Sequence, residues 1–211
     1  MGIIFIKLNN QKGNDLMLSK KNILTAVGIM LLAAVSYGAD KYQIDPVHSS
    51  IGFSVKHLAI SNVKGTFTDF SGAIMYDSTD ITKSSADVTI KMATINTGNP
   101  DRDKHLMSPD FFDAEKYPDI TFKSSKIEKK GDALVMTGMM TMHGISKEIA
   151  VPFNINGTIK DPMGKFRMGS EASFIINRQD YGVSFSKTLE TGGLVVGNDV
   201  KIDLSIEAVK Q

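Results

Sequence analysis

Val200-Lys201-Ile202-Asp203-Leu204-Ser205-Ile206-Glu207-Ala208 alternates apolar and polar residues without a break. Successive side chains on a β-strand point to opposite faces. The stretch therefore reads as a strand with Val200, Ile202, Leu204, Ile206 and Ala208 on one face and Lys201, Asp203, Ser205 and Glu207 on the other. One dry face and one wet face is the pattern of an antiparallel sheet that covers a core on one side.

Working outward, the same period recurs through most of the chain. Ile51, Phe53 and Val55 alternate with Ser50, Gly52 and Ser54, and Ala86, Val88, Ile90 and Met92 with Asp87, Thr89 and Lys91. Ile120 and Phe122, then Leu134, Met136 and Met140, then Ile149, Val151, Phe153 and Ile155, then Ala172, Phe174 and Ile176 each supply one apolar face. Turn chemistry separates the runs at Asp77-Ser78-Thr79-Asp80, Lys130-Gly131-Asp132, Asp161-Pro162-Met163-Gly164 and Gly197-Asn198-Asp199. This predicts eight long strands, over Ser49–Leu58, Lys64–Tyr76, Ser84–Ile95, Ile120–Lys129, Ala133–His143, Ile145–Lys160, Phe166–Asn177 and Asp199–Lys210, with a short extra strand at Tyr42–Ile44. Short turns make consecutive strands antiparallel neighbours. With too few helices to cover the dry faces, the fold is all-β: a sheet closed on itself as a barrel, with a two-sheet sandwich as the alternative.

One interval breaks the pattern. Asn99-Pro100-Asp101 carries an N-cap, a first-turn proline and an acidic first turn, and Ser108-Pro109-Asp110 repeats the signal. Two short helical turns are expected, over Pro100–Met107 and Pro109–Lys116. Phe111, Phe112 and Tyr117 make the insert apolar enough to pack on the sheet, as a plug over one end or as a lid that gates a ligand.

Composition excludes more than it names. The chain of 211 residues is 42% hydrophobic and 22% charged, which suits one globular domain. It contains no Cys, which removes disulfide scaffolds, thiolate metal sites, cysteine nucleophiles and a lipoprotein anchor. A net charge of +1 gives no footprint for nucleic acid. The sequence contains no G-x-S-x-G elbow, H-E-x-x-H pair, P-loop or G-x-G-x-x-G turn. His48 and His57 lie an odd offset apart and point to opposite faces of a continuous strand; His105 and His143 belong to different elements. No metal site is expected. The three arginines are Arg102, Arg167 and Arg178. Arg102 between Asp101 and Asp103, and Arg178 two residues before Asp180, are candidates for carboxylate-paired clamps on the irregular segments, or for a grip on a ligand head group.

The N-terminus carries a targeting pattern. Lys20 and Lys21 precede the apolar stretch Ile23–Val35 and the small-residue exit Ser36, Tyr37, Gly38, Ala39, as in a secretory signal peptide. That apolar stretch is shorter than the roughly 20 residues needed to span a bilayer, and no stable membrane anchor is expected. Residues 1–38 are assigned as the leader and 39–211 as the mature domain, with Met17 a better start than Met1. Residues 1–38 hold four basic side chains and one acidic, so cleavage leaves 173 residues with net charge −2. The expected location is periplasmic or secreted.

Taken together, Thr97-Gly98-Asn99-Pro100-Asp101-Arg102-Asp103-Lys104-His105-Leu106, followed by Asp110-Phe111-Phe112-Asp113 and Tyr117-Pro118, resembles the signature of the YceI-like family of bacterial lipid-binding proteins. Ile44-Asp45 with His48-Ser49 and Phe53-Ser54-Val55-Lys56-His57-Leu58 resembles the family's opening, Gly138 through His143-Gly144 its central hairpin, and Arg178 with Asp180 and Gly182 its late motif. The likeness runs from about Tyr42 to Val209. Met140 and Met142 stand where other aliphatics are usual, and Tyr181 where Phe is.

The resemblance implies a lipocalin-like, eight-stranded antiparallel barrel in the periplasm, holding a polyisoprenoid or similar amphiphile, or the tail of an isoprenoid quinone, and binding it without catalysis. It implies no other cofactor, and it admits a homodimer. The expected lining is Phe53, Val55, Val88, Ile90, Phe122, Met136, Met140, Phe153, Phe174, Ile202 and Leu204. Two alternatives stand beside a carrier or scavenger of isoprenoid lipid: a stress-response module that sequesters miscellaneous hydrophobic compounds, and an enzyme acting on an apolar substrate in the barrel.

Overall fold

The computed structural model describes residues 38–188 and 194–211. The assigned leader, and the choice between Met1 and Met17 as its start, lie outside the described residues except for Gly38. Eleven strand segments form one antiparallel sheet. They are β1 (Asp40–Ile44), β2 (Ser50–His57), β3 (Ser61–Phe67), β4 (Phe70–Tyr76), β5 (Ser85–Lys91), β6 (Ile95–Asn96), β7 (Asp119–Lys130), β8 (Ala133–Met142), β9 (Ile145–Lys160), β10 (Phe166–Asn177) and β11 (Val196–Lys210). One α-helix, α1 (Pro100–Met107), stands among the described residues.

The eleven segments make eight staves. β1 and β2 follow one another along the first stave, both against β11: Tyr42 to Ile44 pair with Lys210 to Ala208, and Ser50 to His57 with Ser205 back to Val196. β3 and β4 share the second stave, and β5 and β6 the third. From there β7, β8, β9, β10 and β11 pair in chain order, and β11 returns to the first stave. The sheet is thus an eight-stranded antiparallel barrel, and the sandwich alternative is set aside. Closure removes the free sheet edges through which chains aggregate.

Two expected strands are interrupted. Thr68 and Asp69 separate β3 from β4, and a 3₁₀ turn at Met92–Thr94 separates β5 from β6. The breaks lie side by side and satisfy one another: Lys91 N donates to Asp69 O at 2.9 Å, and Asp69 N to Thr94 Oγ1 at 3.1 Å. The expected short strand and the first long one are likewise two halves of one stave, joined by the turn at Asp45–Ser49. The last strand begins earlier than expected, at Val196.

The helical insert is half as expected. Asn99 Oδ1 accepts from Arg102 N at 3.0 Å, and Pro100 opens α1. The second helix, over Pro109–Lys116, does not form; consecutive turns take its place. Phe112 N donates back to Leu106 O at 3.1 Å and Ala114 N to Met107 O at 2.9 Å, so the chain caps α1 instead of starting a new helix. Asp113 adopts a left-handed backbone with φ 46°, which breaks any helical run.

Candidate functional site

A cavity of about 240 Å³ runs inside the barrel, and its wall is almost wholly aliphatic and aromatic. On β10 the inward residues are Met168, Ser170, Ala172, Phe174, Ile176 and then Arg178, which keeps the same phase just past the strand. Met168 and Arg178 are ten residues apart, which at ~3.3 Å per residue and a ~40° tilt is about 25 Å of barrel axis. The cavity is therefore long and narrow, a shape for one chain-like molecule.

All eleven side chains named from the alternation line this cavity, from Phe53 and Val55 on β2 to Ile202 and Leu204 on β11. Others that the alternation missed join them. Ile127, only 2% exposed, lies beyond a bulge between Ser124 and Lys126 that reverses the phase of β7. A bulge in so polar a run leaves no periodic signal to find it by. Leu106, Phe111 and Phe112 come from the insert and close one end, a contribution that only the apolar residues of that segment could announce.

Glycines shape the bore. Phe53 lies directly across from Gly65, where a Cβ would collide with its ring, and a Cβ on Gly138 would meet the Phe122 ring at 2.5 Å. Both rings occupy space against the wall that the missing side chains leave.

The insert end is also where Arg178 sits, 4% exposed. Its Nε donates to Gly197 O at 2.8 Å, Nη1 to Val183 O at 2.6 Å, and Nη2 to Val196 O at 3.2 Å. One guanidinium thus ties both ends of the long connection between β10 and β11. The expected carboxylate partner is replaced by carbonyls, because the side chain points along the inward phase while Asp180 is exposed. Burial pulls the Arg178 pKa below the ordinary guanidinium value. Nearby, the Tyr181 hydroxyl is buried with no hydrogen-bond partner among the described residues.

Arg102 departs from expectation in the same way. Its Nε donates to Thr97 Oγ1 at 2.7 Å and Nη2 to Thr97 O at 2.9 Å. Thr97 Oγ1 in turn donates to Asp103 Oδ1 at 2.5 Å, so the flanking carboxylate is reached through the threonine. The geometry holds the start of the insert against β6, and Arg102 is absent from the cavity wall.

The arginine that does gather carboxylates is Arg167. It donates from Nη1 to Asp45 Oδ2 at 2.9 Å and to Glu207 Oε1 at 2.6 Å, and from Nε to Asp161 Oδ2 at 2.8 Å. His48 Nδ1 lies 2.9 Å from the same Asp45 oxygen. Asp45, His48 and Glu207 have the proximity of metal ligands, but the guanidinium fills the position a cation would take. Hydrogen bonds from His48 and Arg167 hold the Asp45 carboxyl at about 2.

Comparison with known proteins follows the same outline. A model of the YceI-like domain matches residues 42–208. The UPF0312 protein plu2095 of Photorhabdus laumondii is 40% identical over 167 residues, covering 78% of this chain and 87% of that protein. Among solved structures, the YCEI protein of Campylobacter jejuni is 39% identical with a TM-score of 0.64, covering 74% of this chain and 90% of that one. A polyisoprenoid binding domain from Saccharophagus degradans, 17% identical, shares the fold with a TM-score of 0.60, covering 81% of this chain and 98% of that one. With a barrel of eight staves, a capped apolar bore and a family match over nearly all of the described residues, this chain belongs to the YceI-like family.

Proposed function

We propose that the barrel binds one long-chain amphiphile, a polyisoprenoid or a molecule like it, and serves as a periplasmic carrier or scavenger. The observation that carries this reading is the continuous apolar bore between Met168 and Arg178. Transfer of a hydrocarbon chain from water contributes about 25 cal/mol per Å² buried, so such a wall needs few polar contacts to bind. The polyisoprenoid binding domain of the Saccharophagus degradans neighbour supports the ligand class.

A binding role also suits the ionisable groups on the wall. Arg178 keeps the inward phase just past β10, whereas Glu171 has the outward phase of that strand and is exposed, so the two do not form an acid–base pair facing the bore. In this reading the eleven lining residues hold the chain, Arg102 clamps the insert, and Arg178 anchors the connection above the bore. Export follows from the leader, with cleavage near Gly38.

Native mass spectrometry of protein recovered from the exported fraction tests the proposal. One defined prenyl mass on a chain starting near Ala39 supports it. Heterogeneous adducts point instead to general sequestration, and an empty barrel that converts an added lipid overturns the binding role.

A further inference from the structure

We infer that the tip of the β9–β10 hairpin is a docking surface for a bilayer that carries anionic head groups. The inference extends the carrier reading, since a barrel that loads or delivers a membrane lipid must meet the membrane.

The hairpin projects. β9 pairs with β8 only as far as Phe153, so Asn154–Lys160 have a neighbour on the β10 side alone. At its end stand Met163, 85% exposed, Ile159, 68% exposed, and Phe166, 47% exposed. Three exposed large apolar side chains at the end of one projecting hairpin are what a globular surface ordinarily avoids unless it meets a partner.

The charges around them choose the partner. Lys160 Nζ and Lys210 Nζ each lie 5.7 Å from the centre of the Phe166 ring. Among the described residues Lys160 and Lys165 enter no ion pair, while the one acidic residue of the turn, Asp161, is engaged by Arg167. Lys129 and Lys130, with Asp132, lie at the β7–β8 turn, which the up-and-down order of the strands places at the same end. The opposite end is acidic: residues 99–119 carry six carboxylates against Arg102, Lys104 and Lys116. An anionic surface is thus attracted to the lysines of the tip and repelled by the carboxylates of the capped end. Apolar side chains at the tip of such an end enter the head-group region, as interfacial anchors do.

The test is vesicle co-sedimentation of residues 39–211, which contain every stave of the barrel, with phosphatidylcholine vesicles alone or with about one third phosphatidylglycerol. The expected result is binding to the anionic vesicles that weakens as salt rises, and a loss of at least about tenfold in Met163→Asp and in the pair Lys160→Glu with Lys165→Glu. Ile175→Asp, on the outer wall at a position 65% exposed, serves as control and binds as the parent does. Parent protein that ignores both vesicles, or tip variants that bind unchanged, overturns the inference. A dimer in sedimentation velocity that Met163→Asp dissolves assigns the tip to a second copy and overturns it as well. Native mass spectrometry of the same samples keeps the two readings apart: barrel lipid with no docking sinks the tip alone, and docking with an empty barrel sinks the carrier role alone.

Discussion

At position 174 a phenyl ring faces the bore, while its neighbour Ser173 faces out and donates to Asp203 Oδ1 at 2.8 Å. Phe174→Glu would bury an unpaired carboxylate on an apolar wall, which costs several kcal/mol or forces protonation. The expected outcome is a barrel that fails to fold or folds without its lipid. Ser173→Glu would set a like charge beside Asp203 on the wet surface and cost a few tenths of a kcal/mol, with lipid retained; a melting curve and native mass spectrometry of both variants check the pair. Asp45 gives a pH prediction. Its carboxyl is held at about 2 against an ordinary 3.8, so its contribution to stability is complete above 3.8 and disappears as pH falls toward 2. Asp45→Asn should therefore flatten the acid limb of the melting temperature between those values and lower it at neutral pH. At this scale the sequence was readable where alternation speaks and silent where partners come from afar. Arg167 looks ordinary in the sequence, because Asp45 and Glu207 lie 122 and 40 positions away.

The staves show a second kind of legibility. Period two holds within β3 and within β4 but not across them: Phe67 and Ile74 both line the bore although an odd number of positions separates them, because Thr68 and Asp69 break the stave, and the break is stabilised by Lys91 and Thr94 on a neighbouring strand. The bore depends on such cross-strand details. Gly65 leaves the space that the Phe53 ring occupies, and its Cβ would also come within 3.0 Å of Asn96 O. Gly65→Ala should swing the ring into the lumen, with an overpacking cost of about 1–3 kcal/mol that appears as roughly tenfold weaker lipid retention. Adding Phe53→Leu to Gly65→Ala should restore retention, because the smaller side chain clears the new methyl group. Competition with a fluorescent long-chain probe measures both. Weakened retention that the second substitution leaves unrepaired would show that the ring does not set the bore.

For the whole molecule, the alternation names a dry face but does not distinguish a barrel from a sandwich, because both bury one face of every strand. The first stave meets β11 along two stretches, β2 over Ser50–His57 and β1 through only three pairs, Tyr42↔Lys210, Gln43↔Val209 and Ile44↔Ala208. Ala208 is fully buried beneath it, packed with Tyr42 and Met168, and Lys210 Nζ holds Asp40 Oδ2 at 2.6 Å. The β1 part of the seam is small, yet this end of the ring depends on it: without those pairs β1 keeps only β4, and this stretch of the sheet gains two open edges. Removing Ala208–Gln211 should open the barrel at the end where Met168 and Tyr76 line the bore, leaving the capped end with Arg178 intact. The expected result is loss of bound lipid, a lower melting temperature and concentration-dependent association through the exposed edges. Ala208→Asp tests the same seam without shortening the chain, since a carboxylate at that buried position has no cation directly against it in the Tyr42, Met168 and Ala208 cluster. If both variants keep their lipid and stay monomeric on size-exclusion chromatography, the first stave is held by β2 against β11 alone, and closure at β1 is dispensable.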